Sequence, residues 1–124
     1  MFYVFLHKLL KMKNVALNIE ITNIPTIIKL TSSDILASGS HQYNNIDEAK
    51  NSPLAQQLFH LPFVKRVYIS ANFIALERFP IVEWSDVQDD VKEQIENYLN
   101  AGGVVVSEET APKKIPVEVY AEST

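Results

Sequence analysis

Asn51 to Leu76, NSPLAQQLFHLPFVKRVYISANFIAL, reads as one supersecondary unit: a capped helix, a tight corner and a β-hairpin. Ser52 offers a side-chain oxygen to the unpaired N–H groups of a helix start. Pro53 stands at the first helical position, where a missing N–H costs nothing. Leu54, Ala55, Leu58 and Phe59 recur at helical spacing and form an apolar stripe that must face a sheet. Pro62 ends the helix. Phe63 to Ser70 follows as a strand, with Phe63, Val67 and Ile69 on one face. Ala71-Asn72 is a two-residue reversal in which Asn72 is the residue that tolerates positive φ. Phe73 to Phe79 returns with Ile74 and Leu76 inward, and Pro80 stops it.

Downstream, Ser85 to Ala101 has the periodicity of a long helix, with Val87, Val91, Ile95, Tyr98 and Leu99 on one side. Ser85 and Gln88 fit a capping box, and Gly102 suits a left-handed C-terminal cap. Upstream, Asn14 to Thr22 alternates as a strand, with Val15, Leu17, Ile19 and Ile21 on one face. Asn23-Ile24-Pro25 breaks it, and Thr26 to Thr31 forms a second strand with Ile28 and Leu30 opposite Lys29. Ser32 to Asn45 reads as loop with a brief strand near Ile35 to Ser38, and Ile46 to Lys50 as a helical turn. The fold class is therefore α+β: an antiparallel or mixed sheet with two helices packed on one face.

The chain has 124 residues, 47% of them hydrophobic and 21% charged, which fits one soluble globular domain. A net charge of −4 and a pI near 5.3 argue against a nucleic-acid binder. With no cysteine, disulfides, thiol catalysis and thiolate metal sites are excluded together, and a cytoplasmic setting suits the chain. The opening MFYVFLHKLLK is too short an apolar run to span a bilayer, which needs about 20 residues. Its lysines follow the apolar run, unlike those of a secretory signal.

Residues 1–13 stand apart as an N-terminal extension, lying either before a natural start at Met12 or as an added element on the domain. The domain proper spans 14–106. Val104 opens a strand fragment, and 107–116 is a polar linker. Residues 117–124 repeat the pattern of the first strand: Val117 falls on Val15, Val119 on Leu17, Glu122 on Glu20 and Thr124 on Thr22. This is the expected start of a second, truncated repeat.

Four separated blocks, in order, resemble the amino-terminal domain of the Nfu/NifU-like iron–sulfur cluster scaffold proteins. In Thr22 to Leu30, Thr22, Pro25 and Lys29 match that family's turn and the strand after it. Asn23-Ile24 replaces its Pro-Asn pair, and Leu30 replaces its Phe. Ser52-Pro53-Leu54-Ala55 with Leu58-Phe59 is the strongest block. Val64, Val67 and Asn72-Phe73-Ile74 follow, and Trp84 heads the acidic helix. The resemblance covers about Val15 to Gly102. It implies a noncatalytic accessory domain whose contacts are with proteins: client apoproteins, a cluster donor or the protein's own downstream domain. The iron–sulfur cluster is then expected only in a downstream domain carrying a Cys-x-x-Cys pair. Neither nucleic acid nor membrane is an expected partner.

The candidate partner contacts are Asn23, Pro25, Lys29 and Asn72, because they sit on family blocks. No residue is assigned to catalysis, metal or cofactor. His7, His41 and His60 lack metal-ligand spacing, and no nucleophile elbow occurs. Asp86, Asp89, Asp90, Glu93 and Glu96 read as a solvated helix face before an acidic docking face. Lys65-Arg66 reads as charge on an exposed edge strand, and Trp84 as a packing anchor. Two further readings stand beside partner binding. One is a small-ligand or regulatory module with its pocket between the sheet and the helices, and the other a spacer between repeats.

Overall fold

The computed structural model describes residues 15–107, and within them five strands form one fully antiparallel sheet. The strands are β1 (Leu17–Ile21), β2 (Ile27–Ser32), β3 (Ser40–Tyr43), β4 (Val64–Ser70) and β5 (Phe73–Arg78), in the order β1-β2-β5-β4-β3. Two α-helices, α1 (Pro53–Phe59) and α2 (Trp84–Asn100), cover one face of the sheet, and a 3₁₀ turn spans Ile46–Ala49. This is the α+β architecture that the residue pattern predicts. The extension before residue 14 and the repeat at 117–124 lie outside the described residues.

One apolar cluster holds the layers together. Ile28 and Leu30 of β2, Val67 and Ile69 of β4, and Ile74 and Leu76 of β5 point toward the helices. They meet Leu54, Ala55 and Leu58 of α1 and Val91 and Ile95 of α2. Ser52 caps α1 as its sequence predicts: its Oγ accepts the Ala55 N–H at 3.0 Å. The same hydroxyl donates to the Val105 carbonyl at 2.6 Å. The Ser107 N–H reaches the Asn51 carbonyl at 2.7 Å, so residues 104–107 are held as an irregular strap and not as the expected strand fragment.

Other expectations are corrected. α2 starts at Trp84, not Ser85, with Glu83 at its N-cap and no side-chain capping bond. Trp84 sets that start: its indole Nε1–H donates to the Thr26 carbonyl at 2.9 Å, and its ring stands edge-on to Phe63 with centroids 6.1 Å apart. The helix ends as foreseen. Gly102, at φ 86°, donates to the Leu99 carbonyl and Gly103 to the Tyr98 carbonyl, the two bonds of a Schellman motif. No strand forms over Ile35 to Ser38, because the N–H groups of Leu36 and Ala37 both go to the Ala71 carbonyl. The third strand begins beyond Gly39 instead.

In the β4–β5 hairpin the left-handed residue is Ala71, at φ 49°, and not Asn72. A positive φ at the first turn position alone follows the type II′ pattern. A bulge at Lys65 resets the alternation of β4, so that Val64 joins Val67 and Ile69 on the inner face. β4 lies between β5 and β3, but β3 pairs only with Val67–Ser70, so Lys65 and Arg66 sit on a part of a central strand that β3 does not reach.

Candidate functional site: the uncovered end of the sheet

Two surfaces of the sheet are left without a helix. The first is its outer face. There Lys29 Nζ lies 4.4 Å above the Phe73 ring and 4.0 Å from a Glu20 carboxylate oxygen. Tyr68 packs against Phe73 with ring centroids 5.8 Å apart. Arg66 and Lys65 both pair with Glu77, and Arg66 Nε–H also donates to the Asn44 side chain at 2.8 Å. The charges on this face answer one another, as they do on a solvated β surface.

The second surface is the end of the sheet where the β1–β2 turn meets the β5–α2 connection. The Thr26 carbonyl joins them, accepting both the Arg78 N–H at 3.0 Å and the Trp84 indole. The turn is fixed from within. The Thr22 hydroxyl lies 2.8 Å from the Ile27 carbonyl and 3.0 Å from the Ile24 carbonyl, and it accepts the Ile24 N–H at 3.2 Å. The Phe79 N–H donates to the Phe63 carbonyl at 2.8 Å, which ties the connection to the start of β4.

Apolar side chains stand exposed on this rigid frame: Ile21 at 75%, Ile24 at 53%, Phe79 at 42% and Ile81 at 65%. Ile21 has the inward parity expected from sequence, yet burial fades along β1. α2 touches the start of β1 through Asn100 and Glu96, while its other end is anchored at Thr26. The end of β1 is therefore left uncovered. These four lie on segments that meet at one end of the sheet, whereas Ile35, Ile46 and Val104 stand exposed elsewhere. Apolar side chains gathered on one surface make it a candidate for interaction.

The four candidate contacts do not converge. Asn23 and Pro25 lie exposed in the turn at this end. Lys29 sits mid-strand on the outer face. Asn72 is at the opposite end, where its side-chain amide donates to the Ser32 carbonyl at 3.0 Å. β2, from Ile27 to Ser32, separates it from the Asn23–Pro25 turn by roughly 17 Å of strand. The residues that sequence reading missed are Arg78, Phe79, Ile81 and Glu83. One signal for Arg78 was present. In Phe73-Ile-Ala-Leu-Glu-Arg78 the inward parity of Ile74 and Leu76 carries a charged residue to the core face.

The remaining candidates have structural surroundings. His41 is hydrogen-bonded to the Ser38 carbonyl at 2.7 Å, and His60 is the C-cap residue of α1. The acidic stripe of α2 divides. Asp86, Asp89, Asp90 and Glu93 are exposed, whereas Glu96 turns to β1 and accepts the Leu17 N–H at 2.8 Å. Asp90 and Glu93 line a 500 Å³ groove between α1 and α2 together with Gln57, Gln94, Asn97 and Tyr98. The space between sheet and helices, where the alternative small-ligand reading would place its pocket, is filled by Leu54, Leu58, Val91 and Ile95. No described helix is long and apolar enough to cross a membrane.

A five-stranded antiparallel sheet backed by two helices, with its turn end uncovered, defines the class of this domain. The chain belongs to the Scaffold protein Nfu/NifU N terminal family, whose model matches residues 17–102. A NifU-like protein of Schizosaccharomyces pombe is 32% identical over 71 residues, covering 57% of this chain and 27% of that protein. The mitochondrial NFU1 iron–sulfur cluster scaffold homolog of Drosophila ananassae is 28% identical over 100 residues, covering 79% of this chain and 35% of that protein. The chain thus spans about a third or less of the curated relatives it matches. The solution structure of a NifU-like protein from Saccharomyces cerevisiae has the same fold. It matches with a TM-score of 0.65 at 24% identity, over 76% of this chain and 86% of that one. Protein SAV1430 of Staphylococcus aureus matches with a TM-score of 0.55 at 18% identity, over 64% of this chain and 98% of that one.

The residues present do not fit an iron–sulfur cluster. Such clusters are held chiefly by cysteine thiolates, and this chain has none. Among the described residues no three His, Asp or Glu side chains converge as a metal site.

Proposed function

We propose that this chain is a noncatalytic accessory domain of an iron–sulfur cluster scaffold or carrier. It holds the carrier against a donor assembly or a client apoprotein, while a downstream Cys-x-x-Cys domain holds and passes the cluster. The observation that supports this most is the uncovered apolar end of the sheet in a scaffold-family domain that has no thiol. A surface without ligating groups or a nucleophile contributes by binding energy and positioning.

The partners in this reading are proteins: client, donor or the chain's own downstream domain. Asn23 and Pro25 are part of the docking end, and Lys29 and Asn72 are contacts only for a partner that also spreads across the outer face. The Drosophila relatives are named mitochondrial, so a mitochondrial address competes with the cytoplasmic one suggested by composition.

The coding sequence beyond Thr124 tests the division of labour. A Cys-x-x-Cys pair in a following domain is the expected finding. A stop codon with no such pair would remove the cluster-holding partner in the same polypeptide and contradict the proposal.

A further inference from the structure

Arg78 is the least satisfied charged residue at the uncovered end. Its side chain is only 7% exposed. Nη1 reaches the Phe79 carbonyl at 3.4 Å, Nη2 reaches a Glu83 carboxylate oxygen at 3.3 Å, and the Nε–H has no partner among the described residues. Withdrawing a guanidinium from water is costly unless its donors are paired. Both contacts made here are long for charge-assisted hydrogen bonds. Glu83 is a weak counter-ion, because its own side chain is 73% exposed and stays hydrated.

Glu83 is also the N-cap of α2, a 17-residue helix with no side-chain capping bond. The positive end of that helix therefore lies beside the guanidinium, and both favour an anion. Ile24 in the β1–β2 turn and Phe79 and Ile81 in the β5–α2 connection are exposed on the segments that meet at this end. A polyanion would meet Glu83, Asp86 and a chain of net charge −4. A single carboxylate meets less of that repulsion, and Nε and one Nη of arginine form a fork that takes both carboxylate oxygens.

We infer that this end of the sheet docks a polypeptide segment of a partner that presents a single Asp or Glu between aliphatic or aromatic residues. The partner carboxylate displaces Glu83 from Arg78 and takes the vacant Nε–H as well. Its flanking side chains cover Ile24, Phe79 and Ile81. The inference rests on the partner-binding reading and adds to it the chemistry of the partner.

The test is an NMR titration of the isotope-labelled chain with the blocked peptide acetyl-Leu-Glu-Leu-Phe-amide and with its Gln counterpart. The Glu peptide is expected to shift the amides of Ile24, Phe79 and Glu83, the Arg78 Nε–H and the Trp84 indole N–H. The Gln peptide should bind at least about tenfold more weakly, the loss of one charge-assisted contact. Glu83→Gln removes the internal competitor from an exposed position and should tighten the Glu peptide by several-fold. Arg78→Lys should weaken it by about tenfold or more, with a retained Trp84 indole signal reporting an intact fold. If Arg78→Lys does not fold, Glu83→Gln decides, and unchanged or weaker binding overturns the inference. Equal response to both peptides, shifts confined to other surfaces, or no shift at millimolar peptide also overturn it. Should the peptides fail while a client, donor or Cys-x-x-Cys domain still shifts the chain's amides, the docking chemistry falls and the partner-binding reading stands. Should both fail, both fall.

Discussion

Glu96 on α2 accepts the backbone N–H of Leu17 on β1 at 2.8 Å, so a helix side chain completes the bonding of an edge strand. Partial burial works against the charge of this carboxylate. The Leu17 N–H and the Lys92 ammonium, 3.1 Å away, outweigh it and hold the group below its ordinary value of 4.5. A depressed folded-state value means that this contribution is present above pH 4.5 and is lost as the pH falls through the lowered folded value. Glu96→Gln is expected to cost about 1–2 kcal/mol near neutral pH. Denaturant melts of both proteins should converge as the pH drops below 4.5. A gap that stays constant into acid would contradict the assignment.

Ser52 carries two buried bonds, one capping α1 and one fixing the strap at Val105. Ser52→Ala removes both, and should cost roughly 2–3 kcal/mol in chemical denaturation. Hydrogen exchange should quicken at Ala55 and at Ser107, which is bonded to the neighbouring Asn51. A loss below about 0.5 kcal/mol would show that water replaces the hydroxyl.

Ala71 pays for its left-handed φ of 49° with a Cβ that this conformation disfavours. Ala71→Gly should therefore stabilise the domain by about 0.5–1 kcal/mol, even after the added freedom of the unfolded chain. An upward shift of the denaturation midpoint at unchanged slope checks it. A downward shift would mean that the turn tolerates alanine without strain.

The strands and helices were legible wherever periodicity and punctuation agreed: Ser52-Pro53 opened α1, Gly102 closed α2, and Ile74 with Leu76 gave the inner face of β5. Local pattern failed where long-range contacts decide. The Trp84 indole bond to Thr26 pulls the start of α2 back past the apparent capping box at Ser85. The bulge at Lys65 changes which residues of β4 face inward, and Ala71 draws Leu36 and Ala37 out of a strand. The candidate site was half legible. The family block led to Asn23 and Pro25. Phe79, Ile81 and Glu83 belong to it only because the chain returns to Thr26 after β5.

Ile24→Ser combined with Ile81→Ser tests the surface separately from the fold. Both side chains are exposed, so stability should change by no more than about 0.5 kcal/mol per site. Loss of apolar contact area should weaken a bound partner by about tenfold or more. Unaltered binding to a partner that engages the parent chain would move the docking surface elsewhere.

The proposed role of this cysteine-free domain is to hold a protein partner at the uncovered end of its sheet. The most direct measurement is an amide chemical-shift titration of the chain with a cluster donor, a client apoprotein and a Cys-x-x-Cys domain in turn. Saturable shifts centred on Ile21, Ile24, Phe79 and Ile81 are expected with at least one of them. Spectra that remain unchanged with all three would contradict it.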